Sequence, residues 1–343
     1  MNLSFRSLPR LRLRTVTATL ASTALVLVLA MPVLIRAGTT PQTVAALGAQ
    51  PSALGQGFSV TDVEWMDDGR SRRVPARLFW PASAENGKVS LIVFSHGIGS
   101  SRDGYTYLGR YWASRGVASL HLQHVGSDRT LWQGNPLSLI SRFQDAASEE
   151  EAVARVQDFR FALDRLLQAE YGAHIDSERI VAAGHSYGAN TTLMVSGAKV
   201  VRNGRLLQFR DPRVSAAIVI SAPPFYGEDD FGPILSGISI PTLHVTTTDD
   251  VIRIPGFGSG LDDRLKVFNA IGGSKVLAVY KQGSHNVFTE KRYFDSVEVA
   301  DEVKGATEAL SLAFLDQAYG KRGSLDQWRQ AHRAVFAQYE HRN

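Results

Sequence analysis

The 343-residue sequence contains no cysteine, which excludes a disulfide scaffold, a thiol nucleophile and thiolate metal sites. It also contains no acidic residue before Asp62. Five arginines precede that position: Arg6, Arg10, Arg12, Arg14 and Arg36. Without them the net charge of +4 falls to about −1 for the rest of the chain. A nucleic-acid-binding domain keeps its basic excess on the folded part, so we expect no nucleic-acid partner.

An uncharged run of 21 residues extends from Thr15 to Ile35, with arginines before it and Arg36 after it. This order is typical of a Sec-type export signal or an N-terminal membrane anchor, and the run is long enough to cross a bilayer as a helix. The arginines favour an N-terminus that stays inside and a body that is exported. We expect residues 1–36 to be a signal peptide or a retained anchor, with both readings open. Residues 37–56, rich in Gly, Ala, Pro and Gln, predict a flexible linker.

Residues 57–343, with 44% apolar and 20% charged residues in the whole sequence, have the balance of a globular domain. The strand candidates are Phe58–Trp65, Val74–Trp80, Leu91–Ser95, Val117–Leu122, Arg179–Ala183, Ala216–Ser221, Thr242–Thr247 and Lys275–Tyr280. The first two flank a turn signal at residues 67–70, which predicts an antiparallel hairpin. Between two of the later strand candidates, apolar residues spaced three or four apart from Ala152 to Leu166 predict a helix. The alternation predicts an α/β fold with a mostly parallel central sheet and helices on both faces.

The last segment of the chain is also predicted to be helical. Ser324 and Gln327 have the spacing of a capping box at a helix start. Apolar and aromatic residues then recur at helical spacing, as a stripe that would be buried: Leu325, Trp328, His332, Val335, Phe336 and Tyr339. Composition indicates no second-domain boundary, so residues 57–343 are predicted to form one domain.

Residues 184–188 read Gly-His-Ser-Tyr-Gly and stand between a strand candidate and a helix-compatible segment. Gly-x-Ser-x-Gly in this setting is typical of a nucleophile elbow, a tight bend that lifts the serine hydroxyl clear of the backbone. Side chains two residues before and after the serine would collide, which explains Gly184 and Gly188. The helix behind the bend directs its first amides at the reaction centre. Ser186 is therefore the predicted nucleophile, against the alternative of a structural turn.

A serine nucleophile needs a base, which in folds with such an elbow follows the nucleophile and the acid in the chain. His285 lies in a glycine-containing loop directly after a predicted strand, where catalytic groups gather in open α/β sheets. His244 lies inside a strand candidate, and His332 and His341 lie on the last helix or tail. We therefore predict His285 as the base.

The acid is expected at the end of the preceding strand, where Asp249 and Asp250 are neighbours. Successive residues near a strand end point in opposite directions, so only one of the two can face His285. We prefer Asp250, with Asp249 at the turn. Asp229 and Asp230 follow an earlier strand candidate and are interpreted as solvated loop charges.

Donors for the oxyanion are sought in the loop after an early strand, and residues 91–100 offer a small-residue segment there. We predict that the backbone amides of Ile98 and Tyr187 form the oxyanion hole, the alternative for the loop being a plain β-turn. His96 lies on the same loop, so we interpret it as structural rather than as a base.

Residues 125–148 form a long connection that predicts a lid or substrate wall. Its apolar candidates for an acyl pocket are Trp132, Leu137, Ile140 and Phe143. Phe225, in a segment after a strand candidate, could form the opposite wall. For all of these, core packing is the alternative. His121 and His124 have the spacing of a metal pair but lack further ligands nearby in the sequence, so we expect no metal site.

These segments together resemble the α/β-hydrolase superfamily over about residues 88–288. The Phe-Ser-His-Gly-Ile-Gly-Ser segment at residues 94–100 resembles the oxyanion loop of platelet-activating-factor acetylhydrolases. The strand end at Asp250 and the Gly-Ser-His of His285 are similar to those of dienelactone hydrolases and cutinase-like polyester hydrolases. The resemblance implies that the second adjacent acid, Asp250, is catalytic. Dienelactone hydrolases carry a cysteine nucleophile, so the serine here points to ordinary ester hydrolysis.

The expected function is that of a serine esterase, located in the periplasm or outside the cell, or anchored to the membrane. Its expected substrate is a small-molecule or lipid ester with a short acyl group, and neither metal nor organic cofactor is needed. Two alternatives stay open. The same triad could transfer the acyl group to an alcohol or amine, or the scaffold could be a non-catalytic binding protein.

Overall fold

A computed structural model describes residues 57–202, 205–225, 227–254, 257–291 and 293–343. The predicted leader and linker at residues 1–56 lie outside the described residues. Of the helices inside these ranges, none combines the length and the hydropathy that a bilayer crossing requires.

Strands make up the centre of the described chain. In chain order they are β1 (Phe58–Asp67), β2 (Arg72–Pro81), β3 (Val89–Ser95), β4 (Ala118–Leu122), β5 (Ile175–His185), β6 (Lys199–Arg202), β7 (Arg205–Gln208), β8 (Val214–Ile220), β9 (Thr242–Asp249), β10 (Ile252–Ile254), β11 (Phe257–Ser259), β12 (Lys275–Ser284) and β13 (Phe336–Arg342). Within the described ranges, nine of them form one sheet in the order β1-β2-β4-β3-β5-β8-β9-β12-β13. The pairs β6–β7 and β10–β11 are separate hairpins.

The six strands from β4 to β12 in this sheet are parallel, whereas β1, β2 and β13 join it antiparallel at its two edges. The predicted N-terminal hairpin is present, with Phe58 opposite Pro81 and Asp67 opposite Arg72. The predicted fold class, a mostly parallel sheet with helices and an antiparallel hairpin, is therefore confirmed. Because parallel strands end at the same edge, the segments after β3, β5, β9 and β12 lie together.

Helices cover both faces of the sheet. In chain order they are α1 (Thr106–Ser114), α2 (Leu139–Ala146), α3 (Glu149–Gln168), α4 (Tyr187–Ser196), α5 (Gly232–Leu235), α6 (Leu261–Ala270), α7 (Val297–Ala318) and α8 (Ser324–Ala331). Alternate residues of β3 divide the core: Leu91 belongs to the cluster that contains Phe159 of α3, and Ile92 to the cluster that contains Trp112 of α1. This alternation is what a strand buried on both faces requires.

The end of the chain differs from the helical prediction. Helix α8 ends at Ala331, and β13 pairs with β12, with Tyr339 opposite Ala278. The stripe residues nevertheless stay together, because the Trp328 ring lies 5.7 Å from that of Phe336 and 5.9 Å from that of Tyr339. The same apolar spacing suits a helix that turns back into a strand, and the open edge of β12 supplies backbone hydrogen bonds that a longer helix would leave unused.

The predicted capping box at the start of α8 is also wrong. The residue before the helix is Gly323, whose φ of 89° lies in the left-handed region that favours glycine. Ser324 is the first helical residue, and its hydroxyl donates to Asp316 Oδ2 at 3.1 Å instead of capping the helix.

Candidate active site

Ser186 stands between the last residue of β5 and the first residue of α4. Its φ of 55° and ψ of −122° are strained for a residue with a side chain, at a cost of about 1–3 kcal/mol. A Cβ on Gly184 would lie 2.2 Å from the carbonyl oxygen of Gly188, and a Cβ on Gly188 would lie 1.9 Å from that of Ser95. Backbone atoms approach too closely on both sides for any other residue, which is the reason given above for the two glycines.

The structure brings Ser186, His285 and Asp250 into one hydrogen-bonded chain. His285 Nε2 lies 2.8 Å from Ser186 Oγ, and His285 Nδ1 lies 2.6 Å from Asp250 Oδ1. Because a carboxylate can only accept, Nδ1 carries the hydrogen and Nε2 is left to accept the serine proton. The three residues come from the ends of β5, β12 and β9, whose carboxyl ends share one edge of the sheet.

The two neighbouring aspartates separate as strand alternation predicts. Asp250 is fully buried and faces His285, whereas Asp249 is exposed. Asp229 and Asp230 are exposed in the loop before α5, where Asp230 Oδ1 accepts from the Gly232 amide at 2.9 Å. Of the acids considered, only Asp250 therefore touches the imidazole in the described part of the chain.

Arg264 is the contact of Asp250 that sequence reasoning missed. Its Nε lies 3.2 Å from Oδ2 and its second terminal nitrogen 3.2 Å from Oδ1, while Thr246 Oγ1 donates to Oδ2 at 2.6 Å. Burial alone would raise the pKa of Asp250, but His285 and Arg264 together lower it well below its ordinary value. The carboxylate thus stays ionised. A signal existed: Arg264 lies three residues after Leu261 and three before Val267, on the apolar face of α6.

The loop after β3 lies against the nucleophile, since a Cβ on Gly97 would be 3.3 Å from Ser186 Cβ. Its glycine amides are engaged: Gly97 N–H donates to the Tyr105 hydroxyl at 3.2 Å, and Gly99 N–H to the Ser127 carbonyl at 2.8 Å. Neither the Ile98 amide nor the Tyr187 amide donates to another described residue. Both amides therefore have capacity to donate to a substrate oxygen.

His96 is fully buried in this loop and makes no contact with Ser186. The His124 amide donates to His96 Nε2 at 3.0 Å, so Nδ1 carries the hydrogen and donates to the Gly97 carbonyl at 2.7 Å. Burial, with Arg155 and His124 nearby, lowers the pKa of His96 well below its usual value. The neutral ring thus braces the loop, which agrees with a structural reading.

His185, inside the elbow motif, joins three loops. The carbonyl of His285 can only accept, so His185 Nε2 carries the hydrogen and donates to it at 3.0 Å. In the neutral ring Nδ1 then accepts, and the Tyr105 hydroxyl donates to it at 2.8 Å while it accepts from the Gly97 amide. Burial lowers the pKa of His185 well below its ordinary value, so the ring is neutral. This chain ties the loop after β3 to the elbow and to the loop that carries His285.

The candidate substrate residues lie in two places. Trp132 is 57% exposed, donates from Nε1 to the Gly99 carbonyl at 2.8 Å and packs edge-on against Phe143. Leu137, in a short 3₁₀ turn before α2, is 91% exposed. Phe225 is buried in the core cluster that contains residues of α3, whereas Trp132 is exposed, so the two side chains do not line one common surface. Contact of any of them with a substrate stays a prediction.

The side chains of His121 and His124 have protein partners. His121 Nε2 lies 3.2 Å from Ser119 Oγ, and His124 bonds to Asp158 and Ser95. Among the described residues, no three His, Asp or Glu side chains are grouped to hold a metal ion.

The comparison with known proteins agrees with the fold. Residues 92–336, a stretch that includes Ser186, Asp250 and His285, match the model of the alpha/beta hydrolase family. No curated protein matches the sequence. The family match covers well over half of the chain. The chain therefore belongs to the alpha/beta hydrolase family, and this membership supports a general hydrolase role.

Proposed function

We propose that this protein is a serine esterase that hydrolyses carboxylic esters through Ser186, His285 and Asp250. The observation that carries the proposal is the pair of hydrogen bonds that link Ser186 Oγ to His285 Nε2 and His285 Nδ1 to Asp250. A positive φ also occurs at Ser71 and Ser221, so the strained backbone of Ser186 supports the proposal only together with these hydrogen bonds.

In the acylation half-reaction, Ser186 Oγ attacks the ester carbonyl while His285 Nε2 takes its proton. The buried Asp250 carboxylate stabilises the resulting imidazolium and keeps the ring oriented. The amides of Ile98 and Tyr187 donate to the oxyanion of the tetrahedral intermediate. When the intermediate collapses, His285 returns the proton to the leaving alcohol, and an acyl-enzyme remains.

In the deacylation half-reaction, a water molecule gives its proton to His285 and attacks the acyl carbonyl. Collapse of the second intermediate releases the carboxylic acid, and the proton returns to Ser186 Oγ. Every proton in this cycle moves between substrate, water, serine and imidazole. The cycle therefore needs no metal ion and no organic cofactor.

The proposed substrate is a small-molecule or lipid ester with a short acyl group. Support comes from Trp132, which lies on Gly99 of the loop beside the nucleophile and offers an apolar wall next to the predicted oxyanion hole. We further propose that the protein acts after export, in the periplasm or outside the cell or attached to the membrane. We also propose that, within the family, this protein is similar to platelet-activating-factor acetylhydrolases and dienelactone hydrolases.

Replacement of Ser186 by alanine tests the function directly. Ser186→Ala should lower turnover of p-nitrophenyl acetate by about three to six orders of magnitude and abolish labelling by a fluorophosphonate. Ser221→Ala is a matched control, because Ser221 also has a positive φ, of 51°, directly follows the neighbouring strand β8, and its hydroxyl has no described partner. The control should keep the wild-type rate.

Two results would overturn the proposal. Wild-type turnover in Ser186→Ala would show that Ser186 is not the nucleophile. If the wild-type protein neither hydrolyses esters from acetyl to long chain nor reacts with the fluorophosphonate, a binding function is favoured instead. If ester product forms faster than free acid when an alcohol is added, acyl transfer replaces hydrolysis as the reaction.

A further inference from the structure

Arg155 of α3 is a buried cation that makes no direct ion pair with another described residue. Its side chain is fully buried, and no carboxylate in the described part of the chain lies within ion-pair distance of it. The negative charges of Glu151 and Asp158 act on it from further away, and Glu151 is linked to it through the hydroxyl of Ser127. Burial lowers the pKa of Arg155 from its usual value. A buried charge is costly unless hydrogen bonds compensate for the lost water, so the acceptors of this guanidinium indicate what it does.

The guanidinium joins the two segments that carry the predicted oxyanion amides. One terminal nitrogen donates to the carbonyl of His96, at the start of the loop after β3. Nε donates to Thr191 Oγ1 at 3.0 Å, and the group lies 4.6 Å from the ring centre of Tyr187, both in the first turns of α4. The other terminal nitrogen donates to Ser127 Oγ at 2.7 Å. One side chain thus contacts the loop on one side and the helix behind the nucleophile on the other.

These contacts determine where the Ile98 amide points. In a trans peptide the carbonyl and the following N–H point in opposite directions. The Gly97 carbonyl accepts from His96 Nδ1 and from the Ser100 amide at 3.1 Å, so the Ile98 N–H is turned the other way. Arg155 donates to the backbone carbonyl of His96 and so holds this residue in place. The ring of His96 in turn donates to the Gly97 carbonyl.

We propose that Arg155 is a positioning residue that sets the separation and direction of the Ile98 and Tyr187 amides for the oxyanion. This inference rests on the proposed esterase function. The planar fork suits the task, because it reaches acceptors in three directions and stacks on Tyr187, which a lysine ammonium cannot do. An oxyanion hole that loosens stabilises the transition state less while it leaves the ground-state substrate contacts in place.

The test compares Arg155→Lys with Arg160→Lys. Arg160 lies on the same helix and also donates to backbone carbonyls, those of Phe209 and Arg210 at 2.7 and 2.9 Å, away from the oxyanion loop. We expect Arg155→Lys to lower kcat for p-nitrophenyl acetate by about 10- to 100-fold with KM changed less than about threefold. Affinity for an alkyl boronic acid, which forms a tetrahedral adduct on Ser186, should fall by a similar factor. Arg160→Lys should change neither.

A folded Arg155→Lys with wild-type kcat and wild-type boronic acid affinity would overturn the positioning role, even if its melting temperature were lower. If Arg155→Lys does not fold, Ser127→Ala with Thr191→Val removes two of the acceptors and leaves the guanidinium and all backbone groups in place. That double variant should show the same loss of kcat and boronic acid affinity, and unchanged values would again overturn the role. Absence of ester turnover and fluorophosphonate labelling in the wild type would instead refute the esterase function.

Discussion

The ion pair between Asp250 and Arg264 gives the sharpest stability prediction, which is the effect of Arg264→Met. Both side chains are buried, and the guanidinium contacts both oxygens of the carboxylate at 3.2 Å as well as Ser259 Oγ at 2.9 Å. Methionine approximates the length of the arginine stem without its charge. The substitution therefore leaves the carboxylate with His285 and Thr246 as its remaining partners.

Removal of one partner from a buried ion pair costs about 3–5 kcal/mol, because the other charge is left without compensation. At about 2–4 °C per kcal/mol for a domain of this size, the melting temperature at pH 7 should fall by roughly 6–20 °C. The lowered pKa of Asp250 means that the stabilisation is present above the pKa of an unfolded aspartate, about 3.9, and is lost as the pH falls below it. The difference between wild type and variant should therefore narrow under acidic conditions.

Thermal unfolding followed by circular dichroism measures this effect. Lys266→Met is the matched control, since Lys266 lies on the same helix, is 63% exposed and pairs with Asp263 at 3.4 Å. A pair of that kind contributes about 0–1 kcal/mol. Equal melting temperatures for the two variants would show that the buried contact does not stabilise the loop of the acid, and the reasoning would be refuted.

Two further predictions concern backbone crowding and acid stability. Gly188→Ala should destabilise the fold by at least about 2 kcal/mol in urea unfolding, because its Cβ would meet the backbone carbonyl of Ser95, whereas Gly305→Ala, in open space on α7, should stabilise it by about 0.5–1 kcal/mol. Burial lowers the pKa of His121 and of His244 to about 3, so between about pH 6.5 and 3 the unfolded state binds more protons than the folded state. The free energy of unfolding therefore decreases as the pH is lowered through this range. His244→Gln should reduce that slope by about 1.4 kcal/mol per pH unit, and an unchanged slope would contradict the buried neutral ring.

The sequence alone was sufficient to predict the features that local backbone geometry or the order of strands along the chain determines. A strand, Gly-x-Ser-x-Gly and a helix can be joined only through a strained bend, so the position of Ser186 was predictable. His285 and Asp250 could be predicted to lie near Ser186 because strand ends in a parallel sheet meet at one edge and because successive side chains, such as those of Asp249 and Asp250, point in opposite directions. The fold class was also predictable, since short strands alternate with helices along the chain, whereas the order of the nine strands was not predicted.

Tertiary structure decided the features that depend on residues distant in the chain. The place of Arg264 on an apolar helix face indicates burial, but only the packing of α6 shows that it contacts the acid. Likewise, only the packing of α3 places Arg155 against the oxyanion loop. The strand from Phe336 to Arg342 could not be distinguished from a helix by apolar spacing, because its conformation is set by the unpaired edge of β12. Local propensity is weak compared with burial and edge pairing, and both of those exist only once the sheet has formed.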